Sequence, residues 1–474
     1  MDRDSGRGER RRHGRHARVD ETAGRRWRLL TGHIVVGLVS LLVLGMTGYG
    51  WATYQNLAES VHRSPGQLAG IAASLDGDTN ILIMGLDSRL DENGNPLPQG
   101  IYDALHAGGA ADGGQNANVL MLLHVPANGG AATAISIPRD DYVALPGCPD
   151  GQCKGKIKQA YGLAFDQEGK LLASQGVPDS PAREQQKRDA GRAAEIATVE
   201  QFLGGVPIDH FVEITLVAFF EIAQVVQPIT VCLLAATHDS YSGASFAAGR
   251  QAIDASQALA FVRQRRDDQR SDTYYNNFTD LDRERRQQAF IASLAYQLKQ
   301  AGTFTNPSKM SDILRVASQN IAVDSGLDLL TFASQAASLT SGNITFYTLP
   351  VDHFGTNSGG ESVNFVDLPL IQRTVHTLLY GDSSAPSTAT STGPEGGTTP
   401  AGPTPETANA PSTITPSTTT PSTTMPTATT SGETTSGETT SITPVPGANG
   451  PAGSPGPAPT DLSELPGGGI PCVK

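Results

Sequence analysis

Residues 118–138, with the sequence NVLMLLHVPANGGAATAISIP, decide the fold of this chain. Two apolar runs flank the tripeptide Asn128-Gly129-Gly130, and this pattern predicts two antiparallel β-strands joined by a tight turn. A turn centred on the first two residues of the tripeptide places Asn118 opposite Arg139. The sequence therefore predicts a β-hairpin with these two polar side chains at its open end.

A further buried strand is predicted at residues 80–87, NILIMGLD, which end in an acid. If this strand runs parallel to the second strand of the hairpin, then Asp87, Asn118 and Arg139 meet at one edge of the sheet. Ligands bind at such edges of α/β sheets. The structural alternative is that Asp87 and Arg139 only cap loops.

The rest of the globular part alternates between strand and helix patterns. Strands are predicted at residues 209–215 and 343–350, and helices at 192–204, 216–226, 254–263, 281–299 and 366–379. Strands interleaved with helices are typical of layered folds. The predicted fold class is α/β, with a central mixed sheet and flanking helices in an α-β-α arrangement.

Composition divides the chain into six segments. They are a cytoplasmic Arg-rich tail (1–28), a transmembrane helix (29–51), a stalk (52–78), a single globular domain (79–382), a disordered Ser/Thr/Pro-rich linker (383–464) and a Cys-containing C-terminal segment (465–474).

Membrane topology follows from the segment at residues 29–51, LLTGHIVVGLVSLLVLGMTGYGW. As a helix it would be about 34 Å long, which is enough to cross a bilayer. The alternative is a cleavable signal peptide, but the run is long for one and no clean A-x-A site follows. The ten arginines of residues 1–28 place the N-terminus in the cytoplasm and the globular domain outside the cell membrane.

Charge and cysteine content restrict the function further. The formal net charge of −13 excludes a generic nucleic-acid binder, which should be basic. Four cysteines suit an exported chain with two disulfides. Cys148 and Cys153 lie close together in a turn-rich loop, which would leave Cys232 and Cys472 as the second pair, although sequence alone cannot establish that pairing. Zinc is not expected, because C-x4-C lacks a second pair of ligands.

Residues 261–288, FVRQRRDDQRSDTYYNNFTDLDRERRQQ, contain the strongest chemical signal. Such a density of arginine indicates either an anion site or a salt-bridged surface. On a helix from residue 281, Arg283 and Gln287 share the apolar face, and Arg286 lies at its margin. An inward arginine needs an anionic partner, which is either a ligand or an internal acid such as Asp267 or Asp282.

Arg263 and Arg265 lie two residues apart and would diverge on a continuous helix. They face one ligand only if the helix from residue 254 stops near Arg263 and the chain becomes extended. Arginines from two segments then meet beside carboxylates able to hold a divalent cation. This combination suits a pyrophosphate ester. No Walker loop, G-x-S-x-G or H-E-x-x-H motif is present in the sequence.

These segments resemble the LytR-CpsA-Psr family of bacterial cell-wall phosphotransferases. The matching pieces, in family order, are NILIMGLDSR (80–89), NVLMLLHVP (118–126), AISIPRDDYV (134–143), KIKQAYG (156–162), VEQFLGGVPIDHFVEI (199–214), QALAFVRQR (257–265) and LDRERRQQAF (281–290). The resemblance covers most of residues 79–300.

The resemblance implies an enzyme that moves a glycopolymer with its phosphate from a polyprenyl-pyrophosphate carrier to the 6-hydroxyl of muramic acid in peptidoglycan, with Mg²⁺ and a side pyrophosphatase activity. By motif, Arg139 and Asp87 would be catalytic, and Asp87 would also bind the metal. The pyrophosphate would be held by Arg263, Arg265, Arg283 and Gln287, with Lys156, Arg286 and Asp140 as further candidates.

One position departs from the family pattern. Many members have an acid where this chain has Asn118, which offers magnesium a neutral carbonyl oxygen and leaves the general base unassigned. GQNANVL, the Cys148 and Cys153 pair and the closing GIPCVK resemble the mycobacterium-like branch, for which the polymer would be arabinogalactan. The alternatives are a non-catalytic wall-binding or adhesion module and a membrane-bound transcriptional attenuator.

Overall fold

The computed structural model describes residues 61–65, 73–74, 77–105, 113–268, 278–300, 320–328, 344–381, 464–466 and 468–474, with single or paired residues between some of these ranges. The predicted cytoplasmic tail and transmembrane helix, and the linker up to residue 463, lie outside the described residues. Within the described part, no helix combines the length and apolar character needed to cross a membrane.

The strands and helices have the following bounds. The strands are β1 (His62–Ser64), β2 (Thr79–Leu86), β3 (Ala117–Val125), β4 (Ala132–Ser136), β5 (Tyr142–Ala144), β6 (Lys154–Lys156), β7 (His210–Ile214), β8 (Ile229–Leu233), β9 (Thr237–Asp239), β10 (Ala244–Phe246), β11 (Gly249–Ile253), β12 (Ile321–Asp324), β13 (Ile344–Thr348), β14 (His353–Thr356), β15 (Ser362–Phe365), β16 (Leu465–Pro466) and β17 (Cys472–Val473). The helices are α1 (Gln99–Leu105), α2 (Gln159–Ser174), α3 (Pro181–Phe202), α4 (Leu216–Val226), α5 (Ala255–Arg263), α6 (Asp280–Gln300) and α7 (Leu368–Tyr380), with a short 3₁₀ turn at Pro149–Gly151.

The central sheet has eight strands in the order β1-β12-β7-β2-β3-β4-β13-β16. The predicted hairpin is its middle, with Met121 paired to Ser136 and His124 to Thr133. Extending this register pairs Asn118 with Arg139, as the turn position predicts. Since β2 and β4 are both antiparallel to β3, they run parallel to each other, which confirms the condition for bringing Asp87 to the same edge.

Both faces of the sheet are buried, which confirms the α-β-α layering. Successive residues of β2 point to opposite faces, so Ile81 packs with α4, α5 and α6 while Leu82 packs with α2, α3 and α7. One apolar layer therefore includes Phe220, Ala258 and Phe290, and the other includes Tyr161, Ile196 and Ile371.

Both ends of the described domain add strands to its sheets. Strand β1 lies in the segment predicted as a stalk, yet it pairs in parallel with β12 at the sheet edge. Strand β16 adds to β13, and β17 pairs in parallel with β8 in a separate three-stranded sheet. The C-terminal segment is therefore part of the folded unit that contains the central sheet.

Both proposed disulfides are present. Cys148 is bonded to Cys153, and Cys232 is bonded to Cys472 across 240 residues of sequence. The second bond joins β8 to β17 within their parallel pair, because Cys232 and Cys472 are direct partners in the ladder.

Candidate active site

A cavity of about 360 Å³ lies between the central sheet and the helices α4, α5 and α6. Its apolar wall is formed by the side chains of Ile83, Leu86, Val119, Ile214, Leu216, Phe219, Ile222, Ala223, Leu259, Val262, Phe290, Ile291 and Leu294. Its polar lining includes Asp87, Arg89, Asn118, Arg139, Arg263, Arg265, Arg283 and Gln287. Most of the predicted site residues therefore share one cavity with an apolar wall.

The ends of strands and helices deliver the polar groups. Strand β2 ends at Leu86, and a register irregularity between Gly85 and Leu86 precedes Asp87. A Cβ on Gly85 would lie 2.8 Å from the Cβ of Val119, so a side chain there would push the two strands apart where the cavity begins.

The Arg-x-Arg segment at residues 263–265 meets the condition set from the sequence, because its helix stops and the chain becomes extended. Helix α5 starts at a capping box formed by Asp254 and Gln257 and ends at Arg263. Gln264 has φ −55° and ψ 133°, so the chain becomes extended at this residue. Arg263 and Arg265 therefore both reach the cavity although they are two residues apart.

Asp280, the first residue of α6, is the carboxylate that organises the arginines. It accepts hydrogen bonds from Arg139 Nε at 2.9 Å and Nη2 at 3.1 Å. It also accepts from Arg283 Nη2 at 2.6 Å, and Arg265 Nε lies 3.3 Å away. Residues from a strand end, a helix end and a helix start are thus joined at one acid.

The cavity end carries excess positive charge among the described residues. Five guanidinium groups line it, and the carboxylates of Asp87, Asp280 and Asp140 lie within ion-pair distance of some of them. Asp87 is bound by Arg89 Nη1 at 3.0 Å, and the buried Nε atoms of Arg89 and Arg283 have no hydrogen-bond partner. Unpaired buried charge is costly, so this arrangement favours an anionic ligand.

Burial and the neighbouring opposite charges act in opposite directions on the pKa values of Asp280 and Arg283. Burial alone would raise the pKa of Asp280, but Arg283, Arg139 and Arg265 hold it below its ordinary value. Burial lowers the pKa of Arg283 to about 10 against the pull of Asp280, so this side chain stays charged at neutral pH. Burial, followed by the charge of Arg89, also lowers the pKa of Arg263.

A buried acid lies next to this cluster on α6. Glu284 is 4% exposed, and neither of its carboxyl oxygens has a hydrogen-bond partner. Burial, and next the charge of Asp280, raise its pKa well above the ordinary value. Glu284 is therefore a neutral acid over part of the pH range in which Asp280 is ionised.

Arg283 and Gln287 reach the cavity as helical periodicity predicts, but Arg286 does not. Arg286 is completely buried and binds the main-chain oxygen of Lys474 through Nε at 2.7 Å. Its Nη1 donates to Gln264 Oε1 at 2.6 Å. The apolar face of α6 is wider than the sequence pattern indicates, so the margin position is also buried, on the side facing the C-terminal segment.

Lys156 lies beside the cluster rather than in the cavity lining. Its Nζ is 3.9 Å from Asp140 Oδ1, while Lys158 Nζ binds the same oxygen at 2.6 Å. Asp140 Oδ2 lies 3.6 Å from Arg139 Nε. Asp140 therefore connects two lysines to Arg139, and Lys158 makes the closer contact. We leave Lys156 and Arg286 out of the proposed pyrophosphate site.

The protein residues at this site supply too few ligands for a magnesium ion, so substrate oxygens would have to supply the others. Mg²⁺ is usually bound by one or two carboxylates together with substrate phosphates and water. Asp87 suits that role, but Asn118 Oδ1 already accepts from Arg139 Nη1 at 2.7 Å. The described residues contain no group of three or more His, Cys, Asp or Glu arranged to hold a metal.

Sequence reasoning missed three residues of the cluster. Asp280 precedes the predicted start of its helix, and the proposed internal partners were Asp267 and Asp282 instead. Arg89 lies inside the quoted motif NILIMGLDSR and Lys158 inside KIKQAYG, yet neither has a periodic signal. An excess of acids in the first turn of α6, where the helix dipole favours them, was the available clue to Asp280.

The chain is similar in sequence to a known protein family and to several of its members. The LytR_cpsA_psr family model matches residues 46–378. The chain is 37% identical over 357 residues to the cell wall biosynthesis protein LcpA of Corynebacterium glutamicum, covering 74% of this chain and 66% of LcpA. It thus spans slightly less than two thirds of that relative's length. It is 24% identical to the polyisoprenyl-teichoic acid–peptidoglycan teichoic acid transferase TagU of Bacillus subtilis, covering 62% of this chain and 78% of TagU.

Among solved structures, the LytR-Csp2A-Psr enzyme from Actinomyces oris is 20% identical, with a TM-score of 0.43 over 68% of this chain and 97% of that one. The family match covers well over half of the chain and spans every strand and helix that contributes to the cavity. The chain belongs to the LytR-CpsA-Psr family.

Proposed function

We propose that this protein is a phosphotransferase that moves a glycopolymer, with its linking phosphate, from a polyprenyl-pyrophosphate carrier onto peptidoglycan. The observation that carries the proposal is the two-part cavity, in which an apolar wall leads to an end with five guanidinium groups. A polyprenyl chain matches the apolar wall, and a diphosphate matches the excess positive charge. The names of the relatives LcpA and TagU, which refer to cell-wall biosynthesis and teichoic acid transfer, agree with this function.

In the proposed reaction, the 6-hydroxyl oxygen of muramic acid attacks the phosphorus nearest the sugar. The bond from that phosphorus to the bridging oxygen breaks, polyprenyl phosphate leaves with the electron pair, and the hydroxyl proton passes to water or to the departing phosphate. Arg139, Arg263 and Arg283 stabilise the charge that develops on the leaving phosphate, because preorganised donors act strongly in a site shielded from water. Asp280 holds Arg139 and Arg283 in place before the substrate arrives.

Magnesium, held by Asp87 and the diphosphate oxygens, would supply further charge neutralisation. Asn118 then serves to orient Arg139 through their 2.7 Å hydrogen bond rather than to bind the metal. With no acceptor bound, water replaces the muramic hydroxyl and gives a slow pyrophosphatase activity. We further propose that the glycopolymer is arabinogalactan, on the sequence features shared with the mycobacterium-like branch.

The proposal includes a location. The segment 29–51 would anchor the protein in the cell membrane, with the N-terminus in the cytoplasm and the catalytic domain outside. This arrangement brings the cavity to the leaflet that displays lipid-linked wall precursors. Protease digestion of intact cells should cleave the linker at residues 383–464 and leave residues 1–28 protected.

The full chain, purified in detergent, provides the direct test. Incubation with geranyl diphosphate and Mg²⁺ should release phosphate, and EDTA should lower the rate. Arg139→Ala and Arg263→Ala should abolish release while the far-ultraviolet circular dichroism spectrum stays unchanged. A wall-binding module or a transcriptional attenuator would give no turnover in any of these samples, and wild-type rates in both variants would contradict the assignment.

A further inference from the structure

The C-terminal segment, defined here as residues 464–474, contacts the elements that carry the cavity arginines. Leu465 and Val473 are both 5% exposed, and both belong to the apolar core layer shared with α4, α5 and α6. Cys472 is covalently bonded to Cys232. The segment lies beyond residues 46–378, so it is an addition to the part that matches the family.

Arg286 connects this segment to the Arg-x-Arg turn. One edge of its guanidinium donates from Nε to the main-chain oxygen of Lys474 at 2.7 Å. The other edge donates from Nη1 to Gln264 Oε1 at 2.6 Å. The guanidinium carbon also lies 5.1 Å and 4.9 Å from the ring centres of Phe261 and Phe278. A side chain fixed in this way has little freedom to hold another ligand.

Gln264 is the residue between the two cavity arginines of the turn. It is completely buried, and its Nε2 donates to Thr237 Oγ1 and, at 2.7 Å, to the main-chain oxygen of Arg266. All described hydrogen-bonding groups of its side chain are thus used to hold the turn. Because Gln264 is extended, its neighbours Arg263 and Arg265 both reach the cavity.

We infer that residues 464–474 form a clamp that fixes the directions of Arg263 and Arg265, acting through Arg286 and Gln264. Arg286 is in this view a positioning residue that does not touch the substrate. The functional part of the inference rests on the proposed phosphotransfer at the same cavity.

The test releases the clamp from a full-length chain. A protease recognition sequence is inserted into the linker in the Cys148→Ser/Cys153→Ser background, so that the Cys232–Cys472 bond is the one disulfide available for reduction. Hydrogen–deuterium exchange of the amides of residues 262–266 is measured without substrate. Three samples are compared: uncut, cut with the disulfide intact, and cut followed by reduction.

Cutting alone should change exchange by less than twofold, because the disulfide keeps the clamp in place. Cutting and reduction should speed exchange at residues 262–266 at least tenfold, and a synthetic peptide of residues 464–474 should restore slow exchange. With geranyl diphosphate, release should raise KM about tenfold, and the peptide should reverse that change. Unchanged exchange after the segment has left the protein would overturn the clamp.

A point substitution tests the connection itself. Arg286→Lys keeps the positive charge but cannot bridge Lys474 and Gln264 at once, so exchange at residues 262–266 should rise although the segment remains attached. Added peptide should have no effect on this variant. Arg285→Lys, on the same turn of α6, is the matched control and should exchange like the parent protein.

The two proposals fail in different ways. If the parent protein releases no phosphate, the proposed function fails, while the exchange experiment still decides the clamp. If the parent protein turns over and the released protein keeps both its KM and its slow exchange, the clamp is wrong and the proposed function stands.

Discussion

At the scale of single residues, Asp280 sets the charge of the cavity end. One carboxylate is shared by Arg139, Arg265 and Arg283, so it orders the three guanidinium groups without neutralising them. An equal number of acids and arginines would have produced a closed salt-bridge network. The shortage of acid favours an anionic ligand, and the two negative charges of the proposed diphosphate diester would meet that need.

The inward direction of Arg283 predicts a large kinetic effect. Arg283→Gln keeps a polar side chain but removes the charge from a buried position that lines the cavity. We expect kcat/KM for geranyl diphosphate to fall about 100-fold or more, since loss of one preorganised oxyanion-hole donor in acyl transfer costs about 2.7–4 kcal/mol. Arg285→Gln, on the same helix but outside the cavity lining, should stay within about threefold of wild type.

Glu284 predicts a pH dependence of stability. Because its pKa is raised in the folded protein, the folded state binds more protons than the unfolded state above the ordinary carboxyl pKa. Stability is therefore lost as pH rises from about 4.3 towards the raised pKa. Glu284→Gln removes this loss, so its unfolding temperature relative to wild type should increase from pH 5 to pH 8. A constant or decreasing difference over that range would contradict the prediction, and Asp166→Asn on an exposed position of α2 is the control.

At the scale of elements, the strands and helices with a clear apolar periodicity were predicted most accurately. The predicted range of α4 is identical to the observed one, and the hairpin register follows from its turn. Helix α3 was expected from residue 192 but begins at Pro181. Its buried face carries Arg188 and Arg192, which pair with Glu92 and Glu213, so burial there is not marked by apolar residues.

Helix α2 and the contacts of Arg286 were also not predicted, because neither leaves a clear apolar pattern in the sequence. The buried face of α2 includes Ala160 and Ala164, which give a weak periodic signal. Arg286 could be placed at a helix margin from the sequence, but its partners Gln264 and Lys474 lie in distant parts of the chain. Periodicity gives the direction of a side chain within its element, whereas the identity of its partner depends on tertiary packing.

The length of α6 along the cavity predicts a test of the proposed polyprenyl-chain site. Arg283 and Leu294 both line it and are 11 residues apart, which corresponds to about 16 Å along the helix. Leu294→Trp should therefore obstruct the end farthest from the arginines. Turnover of a long polyprenyl diphosphate should fall about tenfold or more, while turnover of geranyl diphosphate should change by less than about twofold. Equal losses for both substrates would contradict this geometry, and Lys299→Trp at an exposed position is the control.

At the scale of the whole molecule, both ends of the folded unit are held by strand pairing. Strand β1 lies at one edge of the eight-stranded sheet and β16 at the other, and 400 residues of sequence separate them. The disulfide at Cys472 then attaches the chain a second time, to the small sheet beside α6. The position of the C-terminal segment therefore depends on the complete domain rather than on local sequence.

The two disulfides make a matched pair for testing this covalent attachment of the C-terminal segment. In a chain-entropy model, a crosslink stabilises a protein by restricting the unfolded chain, and the effect grows with the length of the closed loop. The Cys232–Cys472 bond spans 240 residues and the Cys148–Cys153 bond spans five. That model gives about 5 kcal/mol for the long loop and about 2 kcal/mol for the short one. The Cys232→Ser/Cys472→Ser variant should accordingly unfold at a clearly lower urea concentration than the Cys148→Ser/Cys153→Ser variant. Equal midpoints would contradict the chain-entropy prediction for the long loop.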